Sequence, residues 1–441
     1  MPGGESSDEK LARRYRTAAP IPKIYLLYSI AFLRGAMEIL ADVGGRPGLD
    51  CRGYCSYCYF KGVRSVKPFG CKHCLPFKKG CDYCSRAIVE GYTGFKPLEM
   101  VAFEVAQKAF GTRPEKVTIS GGGDLSCYPE LLPLVRMVGQ GSVPVHLGYT
   151  SGKGFSRGDE AKELIESGVR EVSFTVFSTR PELRRRYMGD RHPEAAISNL
   201  RLFCESCDVY CAAVIIPGVN DGSELEKTCA DLDEMGAKGL ILMRFANTPE
   251  QGLILGNAPL LPGIVPHSAE EFERLVTEIN DRFSFRVTGT PLWDPETGAP
   301  FSISRHKGEL LRLPPLRREA TIVTGSIARP FLSTIFQELG GGVNVVSVNK
   351  DVGCLITIED LKGLSLEEVK GTVVVPGRTL AFDREMEAVL SRDGKDRRVL
   401  RGPERLTVDG EMSISMSRGE VIDLEIEAFK ELIELINAMG D

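Results

Sequence analysis

Seven of the thirteen cysteines in this 441-residue chain fall between Cys51 and Cys84. The first three form Cys51-Arg-Gly-Tyr-Cys55-Ser-Tyr-Cys58, with an aromatic, Tyr57, directly before the last. Four thiolates would close an iron-sulfur cluster, whereas three leave one iron open to an exchangeable ligand, so this spacing predicts a reactive iron-sulfur cluster. A zinc knuckle is the competing reading. The other four, Cys71-Lys-His-Cys74 and Cys81-Asp-Tyr-Cys84, are two Cys-x2-Cys knuckles. Gly70 and Gly80 each precede a cysteine, where they permit a tight turn. Such a pair wraps four sulfurs around one further iron or zinc ion, or an additional cluster, and its plainest role is to staple a loop that lacks a core. Four thiolates suffice without His73. A disulfide framework fits short secreted chains; in a long chain with scattered remaining cysteines and no evident secretory signal, metal in a reducing, cytoplasmic compartment is expected.

The elements that must position these cysteines follow from the apolar pattern. Strands are predicted at Glu38–Val43, just before the first triad, and at Lys116–Ser120, Val143–Tyr149, Glu171–Phe177, Val209–Ile216, Gly239–Phe245 and Ser284–Thr288. Amphipathic segments lie between or beside them: 98–110, 130–138, 159–167, 195–203, 224–235 and 269–281. Continuous apolar strands such as Val214-Ile215-Ile216 indicate a parallel sheet buried on both faces. A full or partial (β/α) barrel closes such a repeat and carries chemistry at the carboxyl ends of its strands. Two prolines and a basic run around 310–318 interrupt the pattern, so a second α/β domain is expected over 319–441. Within it, 321–324, 343–348, 354–358 and 372–375 read as strands, and 331–339 and 421–439 as helices. The barrel takes 37–310 and carries the metal loop at 62–96.

Composition narrows the partners. A net charge of −5 and no basic stripe beyond Arg184-Arg185-Arg186 argue against nucleic acid. The apolar run Ile24–Leu33 is roughly half of the ~20 residues that span a bilayer, and it lies deep for a signal sequence, so no membrane association is expected. A translation start at Met37 would make residues 1–36 an extension without stable structure.

The triad resembles the signature of the radical S-adenosylmethionine (radical-SAM) enzymes. In that superfamily the open iron binds the amino and carboxylate groups of SAM, and reductive cleavage yields a 5'-deoxyadenosyl radical. Ser120-Gly121-Gly122-Gly123-Asp124 is similar to the family's glycine-rich segment that contacts the SAM amino group: glycines let the backbone approach a ligand, and carbonyls and a carboxylate suit an ammonium. Asp124 stands where Glu is usual, with a shorter reach. Ile216-Pro-Gly-Val-Asn-Asp221 resembles a later strand end where backbone meets adenine. The run from Asp42 through both cysteine clusters to Pro129 is similar, more narrowly, to the methanogenesis-marker radical-SAM proteins, with the likeness extending over about residues 37–441. That resemblance implies a cobalamin-dependent methyltransferase acting on the δ-carbon of an arginine in the methyl-coenzyme M reductase alpha subunit, with methylcobalamin as methyl donor and a reductant protein as partner. It places cobalamin against the domain after residue 319. The Asp-x-His-x-x-Gly pattern of common cobalamin domains is absent, since Asp190-Arg-His192-Pro-Glu-Ala195 lacks the glycine; that stretch is more simply a loop entering a helix at Pro193.

Remaining candidates are less specific. Tyr149 should stand at a strand's carboxyl end facing the cluster, where it either occupies the open iron as phenolate, orients substrate, or only packs. Thr175 and Ser173 are placed to bind polar groups of SAM, and Arg244 to face a carboxylate at the barrel mouth. Cys204, Cys207 and Cys211 read as buried or free thiols, and Cys127, Cys229 and Cys354 as core. Two rivals stand beside the methyltransferase: a radical-SAM peptide-modifying enzyme with an auxiliary metal centre and no cobalamin, and a metal-stapled binding module without chemistry.

Overall fold

A computed structural model describes residues 38–64, 69–70, 94–112, 114–139 and 143–441. The tetracysteine residues Cys71, Cys74, Cys81 and Cys84, and the N-terminal stretch 1–36, lie outside the described residues.

Seven parallel strands form one sheet in chain order: β1 (Glu38–Asp42), β2 (Lys116–Ser120), β3 (Val145–Thr150), β4 (Val169–Thr175), β5 (Asp208–Ile215), β6 (Gly239–Arg244) and β7 (Arg286–Thr290). Each crossover carries a helix: α1 (Leu98–Ala109), α2 (Leu131–Val138), α3 (Glu160–Glu166), α4 (Pro193–Ser206), α5 (Gly222–Met235) and α6 (Ala269–Asn280). Parallel neighbours need such crossovers, and strictly sequential order with helices outside is the arrangement of an open (β/α) barrel. Side chains alternate along each strand. Val117 and Ile119, Val172 and Phe174, Val209 and Cys211, and Leu240 and Leu242 point outward into the core beneath the helices. Ala212, Ile241, Tyr210 and Met243 point inward. Pro193 begins α4 as its first-turn residue, as the sequence predicts, and α6 starts with a Ser268–Glu271 capping box.

Four more parallel strands form a second sheet, in the order β11 (Arg398–Arg401), β10 (Thr372–Val375), β8 (Ala320–Thr324), β9 (Val343–Ser347). Helices α7 (Arg329–Glu338) and α9 (Arg418–Met439) bury Leu332, Phe336, Ile426 and Phe429 on one face. On the other face α8 (Asp383–Leu390) buries Met386 and Leu390. Because the chain leaves β8 toward β9 and returns to β10 on the opposite side, the sheet has a switch point between β8 and β10, and ligands bind outside the strand ends there.

Two sequence expectations are corrected in this sheet. Residues 354–358 are no strand: Gly353–Leu355 is a 3-10 turn, and Thr357 caps the short helix Ile358–Lys362 through Asp360. A capping box was embedded in what looked like β-branched alternation. Strand β11 was missed because its Arg-Val-Leu-Arg run has only four residues, two of them charged.

The chain then returns to the barrel. From Asp409 to Met416 it runs beside β7: the Thr290 hydroxyl donates to Asp409, the Thr288 hydroxyl to the Gly410 carbonyl (2.6 Å), and Arg286 Nη1 to the Met416 carbonyl (2.7 Å). Gly410 lies so close to the Gly289 backbone that a Cβ has no room. Ile414 enters the barrel interior beside Ala212 and Ile241. The second unit therefore supplies one wall of the first.

Candidate active site

The three cysteines lie on the loop that leaves β1. Gly48 has φ +76 and a Cβ there would run into the Tyr54 ring, so the turn into the triad requires glycine. The Gly48 amide donates to Cys51 Sγ (3.2 Å), and the Cys58 amide to the Cys55 carbonyl (3.2 Å). Burial pushes the Cys51 thiol up to about 11 and the Cys58 thiol to about 12, and raises Cys55 as well. Binding a metal group must therefore release protons here. The one cation that acts against this burial on all three thiols is Lys153, itself buried, with Nζ donating to the Gly53 carbonyl (2.7 Å). Lys153 was not recognised from sequence; its position in a Gly-rich stretch after β3 carries no motif.

The loop also fits a group larger than one ion. The Ser56 hydroxyl, between Cys55 and Cys58, is buried without a hydrogen-bond partner, and the Tyr57 hydroxyl meets the Cys55 thiol. Tyr57 stacks on Phe177 with centroids 4.9 Å apart and planes 17° apart. Three thiolates, a nearby cation and an aromatic floor suit a 4Fe-4S cluster held by Cys51, Cys55 and Cys58.

The glycine-rich segment follows β2. Gly121 and Gly122 pack on the backbone of Gly44 and Gly45, leaving no room for a Cβ, and the Gly122 amide donates to the Gly44 carbonyl (2.7 Å). These glycines thus serve first to let two backbone loops approach, with Gly123 against Asp50 and Phe95; Ser120 is buried at the strand end. Asp124 is committed locally. One oxygen accepts from the Ser126 amide (3.0 Å) and from the hydroxyls of Ser126 (2.7 Å) and Thr150 (2.9 Å). The other accepts from the Ser151 amide (3.1 Å) and its hydroxyl. Asp124 ties the end of β2 to the end of β3, close enough to Cys51 and Cys55 for its charge to raise both thiols.

Tyr149 depends on a bulge. Val145 and Leu147 face the outer core, so simple alternation turns Tyr149 outward, but one extra residue between Leu147 and Thr150 rotates it into the interior cluster. Its hydroxyl donates to Glu411 Oε1 (2.6 Å) across the barrel. Glu411 and Asp409 are half-buried, and both carboxyls are pushed up by burial, Glu411 also by the Asp409 charge. The Tyr149 phenol is raised well above its ordinary value by the same surroundings. This acid pair lies in the second unit and was invisible to strand-by-strand reading.

Thr175 is half-buried at the end of β4. Ser173 is engaged lower in the barrel, 3.0 Å from His146 Nε2. Arg244, at the end of β6, does face a carboxylate: Nη1 pairs with Asp351 (2.6 Å) after β9. Cys204, Cys207, Cys211 and Cys229 are buried in the outer core. Cys354, expected as core, instead lines a cavity of ≈ 300 Å³ at the switch point, together with Thr324, Val375, Leu406 and Asp409. Among the described residues no helix is long and apolar enough to cross a membrane.

Residues 46–232 match the radical SAM superfamily. The match takes in the triad, the glycine-rich segment and strands β2 to β5. No curated protein matches the chain. Similar solved structures include Streptococcus suis SuiB bound to precursor peptide SuiA, 12% identical over 64% of this chain and 52% of that one, TM-score 0.37. A radical SAM methyltransferase from Sphaerobacter thermophilus is 16% identical over 57% and 65%, TM-score 0.37. Kitasatospora setae TsrM with cobalamin and a 4Fe-4S cluster bound is 16% identical over 47% and 36%, TM-score 0.30. The chain spans about half to two thirds of the length of the first two.

Proposed function

We propose that this protein is a SAM- and cobalamin-dependent radical methyltransferase that methylates the δ-carbon of a protein arginine, with the methyl-coenzyme M reductase alpha subunit as substrate. The observation that carries the reading is the Asp409–Glu411 pair. Two carboxyls whose charged forms burial disfavours, with Tyr149 donating to one of them, gain most from a cation that brings several donors in a fixed fork. A guanidinium is that cation. In this reading Glu411 and Asp409 hold the guanidinium, Tyr149 orients Glu411, and Lys153 keeps positive charge beside the thiolates.

When bound, the cluster with SAM supplies hydrogen-atom abstraction and cobalamin supplies the methyl group. The residues that would hold cobalamin line the apolar cavity at the switch point, Val323, Val374 and Val375 among them, with no histidine among the lining residues. A cavity of ≈ 300 Å³ is at the lower end for cofactor pockets and suits one flank of a large ring. It adjoins Asp409, so a group held there lies beside the substrate acids.

The test is mass spectrometry of an arginine-containing reductase peptide after anaerobic incubation with reconstituted protein, SAM and reductant, with and without cobalamin. Gain of one methyl group only with cobalamin supports the reading, and Glu411→Gln should weaken peptide binding about tenfold or more, as expected for losing a charge-assisted pair. Stoichiometric absence of cobalt binding would instead favour the peptide-modifying enzyme without cobalamin.

A further inference from the structure

We infer that the segment Arg184–His192, between β4 and α4, is the docking surface for an acidic one-electron carrier protein, and that Tyr187 is the point of electron entry toward the cysteine loop. The inference rests on the reading of Cys51, Cys55 and Cys58 as cluster ligands.

The segment is built against that loop. Arg184–Met188 forms a π-helical turn, an uncommon element that concentrates at functional sites. The Tyr187 carbonyl accepts a hydrogen bond from the Ser56 amide (2.7 Å), within the Cys55–Cys58 stretch. The Tyr187 ring lies 5.6 Å from Phe177, and Phe177 lies 4.9 Å from Tyr57, centroid to centroid. Three aromatic rings in succession thus lead from a half-buried surface residue to the residue between two thiols. Phe177 holds this place at φ +60, a backbone conformation that is strained for a bulky side chain and persists only where the surroundings impose it. Beneath it Arg184, fully buried, pairs with Asp190 (2.8 Å) and donates to the Val176 carbonyl (2.7 Å). Tunnelling rates fall exponentially with distance, so contiguous rings plus one hydrogen bond make this flank a short path.

The charge is also segregated. Arg180, Arg185, Arg186 and Arg191 are exposed here, with only Glu182 and Glu194 as exposed acids in the same stretch, on a chain of net charge −5. Arg180 pairs with Glu224 (2.9 Å) and Arg185 with Glu194, which leaves Arg186 and Arg191 to carry the surface charge. Arg186 covers the Tyr187 ring at 5.2 Å, and among the described residues neither it nor Arg191 has a carboxylate partner. An acidic carrier meets complementary charge at the ring where the path begins. In the step itself the carrier loses one electron and the cluster gains it; no bond forms or breaks and no proton moves.

The test uses the full, reconstituted chain and a reduced two-cluster ferredoxin. Stopped-flow absorbance follows oxidation of the ferredoxin, electron paramagnetic resonance follows the reduced cluster, and titration calorimetry follows binding. In Arg185→Glu/Arg186→Glu/Arg191→Glu, dithionite should reduce the cluster as in the parent. The bimolecular rate with ferredoxin should fall about tenfold or more at low salt and lose its salt dependence. Should that variant not fold, Arg186→Gln/Arg191→Gln should show the same trend more weakly. Tyr187→Leu should slow electron transfer within the complex at unchanged ferredoxin affinity, and Tyr187→Phe should restore it. Equal ferredoxin rates in parent and charge variants overturn the proposal, as does an oligonucleotide that competes with equal affinity. A parent protein with no dithionite-reducible cluster overturns both this proposal and the ligand reading beneath it.

Discussion

Arg184→Met tests whether the flank of the cysteine loop is held by charge burial. Both Arg184 and Asp190 side chains are fully buried, joined by Nε and Nη2 to one carboxylate oxygen at 3.0 and 2.8 Å. Arg184 also donates to the carbonyls of Val176 (2.7 Å) and Ser151. Asp190's second oxygen accepts from the His192 amide (3.0 Å). Methionine keeps most of the volume but leaves the Asp190 carboxylate buried without its cation, and such a break costs about 3–5 kcal/mol. Replacing both residues, Arg184→Met/Asp190→Leu, removes the unpaired charge and should recover about 1–3 kcal/mol of that loss. Urea unfolding of the metal-free protein under reducing conditions, read by circular dichroism, measures both. The single variant should lower the midpoint at an unchanged slope. A loss below about 1 kcal/mol, or a double variant worse than the single, would refute the view that the pair is dry and mutually dependent.

Gly122→Ala should destabilise by about 1–3 kcal/mol, because its Cβ meets the Gly45 carbonyl; it should weaken SAM binding, measured by equilibrium dialysis, while iron content is retained. His146 is buried between Thr118 (3.1 Å) and Ser173 (3.0 Å), and burial lowers its pKa from 6.5 to about 4. Its folded value is depressed, so between pH 6.5 and 4 the unfolded chain binds the extra proton. Stability should then fall by roughly 3 kcal/mol as pH drops through that window and stay level, for this group, above it; His146→Gln should flatten the profile, and an unchanged slope would count against the assignment. Plasma mass spectrometry should find one zinc or iron beyond the cluster per chain, lost in Cys71→Ser/Cys74→Ser with the cluster's visible absorbance kept.

The parts of the site that are local in the chain were legible from residue types alone. Cys51, Cys55 and Cys58 sit within one turn-rich loop, so their spacing already limits what they can hold, and the parallel βα repeat is written in strands that are apolar on both faces. Strand ends moved by one or two residues, as with β4 starting at Val169, because apolar alternation marks a strand's middle and not where its ladder stops. Asp124 is expected at the SAM amino group, but its orientation is set by Ser126 beside it and by Thr150 and Ser151 at the end of β3, which donate to both its oxygens; the last two partners are not visible from the local sequence.

Three features belong to the tertiary structure. Tyr149 faces inward because of one bulge in β3, and a one-residue shift reverses the face of everything after it. Glu411 meets Tyr149 across 262 positions of chain, a pairing made by the return of 409–416 along β7. Lys153 acts on the thiols through space. A sequence determines what its neighbours along the chain can do together, namely ligand spacing, turns and period-two strands. Which distant carboxylate shares a desolvated space with which phenol is decided by packing, since only the folded chain removes the water that would otherwise screen them.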